Sequence, residues 1–182
     1  MAHRDAAPVA GFTLVELIIT MMVAAVVLSL AVPAFGEIGL NARRTVLVNT
    51  LVRDVHLARS ETHKQARTIS VCASDGNRQC ALSGRSWDRG WLVFVNIDGD
   101  DPPRVDPGEP VLYARPGFGH GRLTSNRRAF HFRPFNKRST AGTLVYCDRR
   151  GSAAARAVIV SATGRPRVSA HDPRRRPLAC AP

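Results

Sequence analysis

"GFTLVELIITMMVAAVVLSLAVPAF" occupies residues 11–35, and its only formal charge is Glu16. As a helix, residues 12–35 rise roughly 36 Å at about 1.5 Å per residue, enough to span a hydrocarbon core of about 30 Å. A transmembrane helix is therefore expected over 12–35. A general secretory signal has a shorter apolar region with its small-residue cleavage site behind it, whereas here the small residue, Gly11, stands in front. The apolar segment is thus expected to survive processing, and residues 1–11, polar and bearing Arg4, read as a leader. Pro33 lacks a backbone donor and is expected to bend the helix.

Residues 37–66 contain no proline, and Leu40, Leu47, Leu51, Val55 and Ala58 repeat along one helical stripe. Arg43, Arg44, Arg53, Arg59 and Lys64 lie largely off that stripe. An amphipathic helix over 36–66 follows, with one face packed on a domain. After Arg67 the period changes. "RTISVCA", "GWLVFVNI", "EPVLYAR", "AFHFRPF", "GTLVYCD" and "ARAVIVSA" are short runs of β-branched and aromatic residues between Gly, Pro, Asn and Asp. The expectation is an α+β chain: a long N-terminal helix, half transmembrane and half amphipathic, packed on an antiparallel β domain over 67–182 that ends in a basic tail.

The 182 residues carry a formal charge of +12, and among the 26 basic residues only Lys64 and Lys137 are lysines. Such a balance makes a polyanion the leading class of partner, and guanidinium forks bind phosphate in bidentate fashion. The Arg bias can also be genomic. Cys72, Cys80, Cys147 and Cys180 show no CxxC spacing and no adjacent His cluster for zinc. They read as two disulfides in an oxidising compartment, with four free thiols as the alternative. Three connectivities are possible; Cys72 to Cys80 closes a short loop over a hairpin, which leaves Cys147 to tie down Cys180.

Gly11 followed by Phe12-Thr13-Leu14-Val15-Glu16 at the head of an apolar span resembles the class III signal of type IV pilins and pseudopilins. The resemblance implies that a prepilin peptidase cuts between Gly11 and Phe12 and that the new amine of Phe12 is methylated. It also gives Glu16 a purpose. A carboxylate in lipid persists where a partner offsets its cost, and the Phe12 amine of the same or a neighbouring subunit is one. Glu16 would then register subunits in a fibre; the plain alternative is an interfacial Glu that snorkels to water.

"LARSETHKQARTISVC", the Trp pair of "WDRGWLVFVNID", "PGEPVLYAR" and "VSATGRPRVS" are similar to the GspH/FimT group of minor pilins. "FRPFNKRSTAGTLVYC" departs from that group's commoner Phe-x-Pro-x-Gly pattern, with Asn136 where Gly is usual, which leaves the turn there open. "GRPR", Gly164 to Arg167, matches the Gly-Arg-x-Arg motif linked in the FimT branch to DNA binding during natural transformation. The proline between Arg165 and Arg167 partly presets their spacing, which reduces the ordering cost of gripping a phosphate backbone. Arg174, Arg175 and Arg176 follow in a tail that Cys180 can fold back. No recognition helix or zinc finger is present, so binding is expected to be non-specific and salt-sensitive. The bland reading of the same arginines is a solvated surface that keeps the subunit soluble.

The other candidates are weaker. Trp87 and Trp91 could stack on bases but read first as core anchors. Asp98, Asp100, Asp101, Asp106 and Glu109 offer oxygens for Ca²⁺ without EF-hand spacing, so a solvated loop is the default. "GFGHG" at 117–121 is followed by no helix opening and reads as a turn. His56, His63, His120 and His131 form no ligand set, and no nucleophile context such as GxSxG occurs, so no enzyme, cofactor or metal is expected. The expected function is a minor type IV pilin that binds DNA through its basic C-terminal patch during DNA uptake. Its expected partners are other pilin subunits, the prepilin peptidase, the inner membrane and the DNA backbone. Its expected place is the inner membrane, single-pass, with the domain in the periplasm, and the pilus fibre or cell surface after assembly. The alternative is a structural GspH-like pseudopilin of a type II secretion system.

Overall fold

The computed structural model describes residues 11, 13–81, 83–135 and 137–180, apart from the side chains at 30 and 32–34. The chain divides into two units at Ala42 and Arg43. Helix α1, Leu14–Gln65, begins in the first unit and ends in the second.

In the first unit α1 opens on Thr13, whose hydroxyl accepts the Glu16 amide at 3.2 Å. A threonine cap with Glu three residues on is the pattern of a capping box, and it places the acid where the helix dipole favours it. Leu14, Val15, Leu17, Met21, Met22, Val26 and Val27 are exposed along the helix. Thr20 and Ser29 donate their hydroxyls to the carbonyls of Leu17 and Val26, one turn back along the helix. Among the described residues, no helix is long and apolar enough to cross a membrane. The expected span 12–35 includes Phe12 and the side chains at 30 and 32–34, which lie outside the described residues.

In the second unit the expected stripe is buried: Leu47, Leu51, Val55 and Ala58 all face the core. The helix ends at Gln65, and Ala66 adopts φ 51°, the left-handed conformation in which helices commonly stop. The β part comprises β1 (Thr68–Ala73), β2 (Gly90–Asn96), β3 (Val111–Pro116), β4 (Arg122–Ser125), β5 (Ala129–Phe132), β6 (Gly142–Cys147), β7 (Arg156–Val160) and β8 (Pro166–Ser169). They form two four-stranded sheets in the orders β3-β2-β1-β5 and β4-β6-β7-β8, with antiparallel pairing throughout. Strands β4 and β8 go beyond the sequence expectation. Both are four residues long and polar or Pro-containing, and pairing rather than propensity makes them strands.

Alternation along the strands sorts the core. Ile69, Val71, Val93, Val95, Phe130, Phe132, Leu144, Tyr146, Val158 and Val160 meet α1 in one cluster. Behind the first sheet lie Cys72, Cys80, Leu92 and Phe94, covered by Val105 and Val111, so every residue of β2 is buried. Behind the second lie Ala155, Ala157, Ile159 and Leu178, the last supplied by the tail. Trp87 and Trp91 are both core residues, at 1% and 3% exposure, which removes them as stacking platforms.

Asp54 is fully buried on the packed face of α1. Its carboxylate accepts Trp91 Nε1 at 2.9 Å, Arg115 Nε at 2.7 Å and Arg115 Nη2 at 2.8 Å, joining the helix to β2 and β3. A second buried group joins β1, β2 and β5: Ser70 Oγ lies 2.8 Å from His131 Nδ1 and accepts Asn96 Nδ2 at 3.1 Å. Burial holds His131 below the ordinary imidazole range, against the opposing pull of the Asp101 carboxylate.

Candidate nucleic-acid interface

The turn from β7 to β8 positions the motif at 164–167. Ser161 takes the amides of Gly164 on its carbonyl and Arg165 on its hydroxyl, while its own amide donates to the Arg165 carbonyl. Gly164 has φ +74°, and a Cβ there would stand 3.0 Å from the Phe132 ring and 3.2 Å from Ser139 Oγ. Glycine is thus required by backbone conformation and by close packing together. Arg165 and Arg167 are both exposed, but only Arg165 belongs to the turn, and Arg167 is the second residue of β8, opposite Ile159.

Their neighbourhoods differ accordingly. Arg165 lines a groove of about 670 Å³ together with Arg59 and His63 of α1 and Arg133, Lys137 and Arg138 of the segment after β5. No acidic residue lies among its described lining. The groove is held by one side-chain and one backbone bond: Thr62 Oγ1 donates to the Phe132 carbonyl at 3.1 Å, and the Ser139 amide to the Ala162 carbonyl at 2.9 Å. Arg167 instead shares a surface depression with Ser169, His171, Asp172 and Arg175. Arg174 and Arg176 face a third hollow, with Thr143 and Leu178. The expected single patch is therefore three basic surfaces. Only Arg165 among the candidates joins the groove, and Arg59, Arg133, Lys137 and Arg138 complete it. The sequence signal for those four was their charge alone, because helix, loop and turn meet only in the fold.

Asp172 organises the tail. It accepts the amides of Arg174 and Arg176 at 2.8 Å each and pairs with Arg176 Nε at 2.8 Å, and these contacts, the Arg176 amide foremost, hold its carboxyl below the usual range. Arg150 likewise pairs with Asp148 at 2.7 Å and lowers its carboxyl. In contrast, among the described residues no carboxylate lies within ion-pair range of Arg59, Arg133, Lys137, Arg138, Arg165 or Arg167. These cations are available to an external anion.

Cys72 is bonded to Cys80 and Cys147 to Cys180, with separations of 8 and 33 residues. In the chain-entropy account a loop of 33 residues contributes roughly 3–4 kcal/mol. The second bond pins the tail that bears Arg174 to Arg176 across the outer face of β6 and β7. At the other end of the chain Gly11 and Glu16 are exposed, and Phe12 lies outside the described residues, as does Asn136. The carboxylates of Asp98, Asp100 and Asp106 have oxygens within 4.8 Å of one another. Those of Asp98 and Asp100 already accept amides of their own loop, from Asp100 and from Arg104.

The signature described as Type II transport protein GspH matches residues 47–164, more than half of the chain. The prokaryotic N-terminal methylation motif matches residues 8–32. Curated protein sequences offer no match. Among solved structures, the type IV minor pilin FimU of Pseudomonas aeruginosa is similar in one crystal form at 20% identity with a TM-score of 0.55, covering 78% of this chain and 97% of that one. In a second crystal form the identity is 21% and the TM-score 0.49, over 66% and 88% of the two chains. The first likeness agrees with the long helix and paired antiparallel sheets of a type IV pilin fold. The methylation motif implies processing by a prepilin peptidase and association with other pilin subunits. With its fold, its N-terminal motif and the match across its β domain in agreement, the chain belongs to the GspH family of minor type IV pilins and pseudopilins.

Proposed function

We propose that the chain is a minor type IV pilin that captures DNA without sequence preference during natural transformation. In this reading a prepilin peptidase removes residues 1–11, the Phe12 amine is methylated, and residues 12–35 anchor the chain once in the inner membrane with its domain in the periplasm. Glu16, placed at the helix start by Thr13, then pairs with a Phe12 amine as subunits join a fibre. The observation that supports DNA most directly is the set of exposed cations about the β7–β8 turn, with no carboxylate partner among the described residues. Arg165, presented by the Gly164 turn, forms its centre; Arg167 and the tail residues Arg174, Arg175 and Arg176 add charge from adjoining surfaces, with Arg176 partly neutralised by Asp172. Binding is electrostatic, and retraction of the fibre draws the DNA toward the envelope.

The match to type II transport protein GspH favours a second reading, a structural minor pseudopilin that contacts other pseudopilins or a secreted protein. Fluorescence anisotropy with labelled duplex DNA over a salt series separates the two. The DNA reading expects affinities that do not depend on sequence and fall linearly on a log–log salt plot. Replacing Arg165 and Arg167 together by alanine should reduce that slope by about 1.8, at about 0.9 per phosphate contact. Lysine at both positions should fall in between, since charge remains and the fork is lost. Wild-type protein without salt-dependent binding would leave the pseudopilin reading.

A further inference from the structure

We propose that the groove bearing Arg165 receives a single strand of nucleic acid, with a base stacked on Phe135. This rests on the DNA reading and goes beyond it by naming the form of DNA and an aromatic contact. Phe135 is 75% exposed and belongs to no core cluster, so its ring forgoes the hydrophobic burial that a Phe side chain ordinarily gains on folding. Its backbone stands at φ 55°, a conformation that is an outlier for a bulky residue and collects at functional positions. Along the chain it lies between Arg133 and Lys137, both of which line the groove. An exposed ring flanked in sequence by two groove cations has the composition of a single-strand site: a basic channel that follows the backbone and an aromatic face on which bases stack. The two tryptophans cannot serve, because both are buried.

The groove is built before any ligand arrives. Its segment after β5 is tied to the β7–β8 turn by the Ser139 to Ala162 bond, and Arg133 Nη1 donates to the Arg138 carbonyl at 3.2 Å. Such pre-ordering lowers the entropic cost of binding. The five full cations Arg59, Arg133, Lys137, Arg138 and Arg165 set an upper limit of about 3.5 on the salt slope for a single strand, at about 0.7 per phosphate. In a duplex the bases are already stacked on one another, so the cations can grip its backbone while Phe135 finds no free base face.

The test is anisotropy of the full chain in detergent with a mixed-sequence labelled oligonucleotide, single-stranded and as the matching duplex. Phe135→Ala should weaken the single strand roughly tenfold and the duplex by less than about twofold, while Phe135→Tyr keeps wild-type affinity for both. Thermal melting of Phe135→Ala should match the wild type, because the ring packs on nothing in the core. Equal losses on both forms, or none on either, would overturn the stacking contact and leave duplex capture standing. Wild-type protein that binds neither form overturns the DNA reading and this inference together.

Discussion

Asp54 is fully buried and accepts hydrogen bonds from Trp91 and, twice, from Arg115. Alanine at this position removes every acceptor at once. The Trp91 N–H, in a residue 3% exposed, is then left without a partner, which costs about 1–3 kcal/mol. The Arg115 guanidinium loses its counter-charge, but its side chain is 26% exposed and recovers part of its hydration. Removing one member of a buried ion pair costs about 3–5 kcal/mol, and that recovered hydration places Asp54→Ala near the lower end. Against a domain stability of about 5–15 kcal/mol the loss is large. Asp54→Asn keeps one acceptor oxygen and the shape of the side chain, so about half the loss is expected. Urea unfolding of the purified chain, followed by tryptophan fluorescence and circular dichroism, measures both, and the midpoint should fall while the slope stays constant. A double cycle with Arg115→Ala isolates the pair. A loss under about 1 kcal/mol for Asp54→Ala would refute the claim that this carboxylate fastens α1 to the first sheet.

Gly164→Ala combines a left-handed backbone with a Cβ 3.0 Å from the Phe132 ring, so a stability loss of about 1–3 kcal/mol in the same unfolding assay is expected, together with weaker DNA binding as the Arg165 turn shifts. Burial lowers the pKa of His131, whose neighbours Asp101 and Asp100 oppose the shift while Arg133 adds to it. The unfolded chain therefore takes up a proton more readily than the folded one. Stability is full above the unfolded value of about 6.5 and is lost as pH falls through the lower folded value. Melting temperatures recorded against pH should decline below that point for the wild type and less steeply for His131→Gln; parallel curves would show that His131 is not the responsible group.

Local pattern was enough for much of this protein. Thr13 and Glu16 sit at the head of a helix because a capping residue followed by an apolar run starts one anywhere, and the same residues bear the processing motif. The stripe Leu47, Leu51, Val55 and Ala58 was readable from its period, and six of the strands from runs of β-branched and aromatic residues, since a half-buried helix or strand must repeat with its own geometry. The cysteine spacing left three pairings open, and the structure holds Cys72 with Cys80 and Cys147 with Cys180. Other features have no local signal. Strand β8 contains Pro166 and two exposed residues, and it exists because β7 offers it a ladder. Asp54 interrupts the apolar face of α1 and reads as an ordinary helix acid until Arg115, 61 residues later, is brought onto it. Whether an arginine is free or neutralised likewise depends on distant partners: Arg176 is satisfied by Asp172, while Arg59, Arg138 and Arg165, far apart in sequence, line one groove with no acid among its described residues. Periodicity and capping are set by neighbours along the chain and can be read from it. Charge pairing, edge-strand formation and the walls of a groove are set by neighbours in space, and only the tertiary structure decides them.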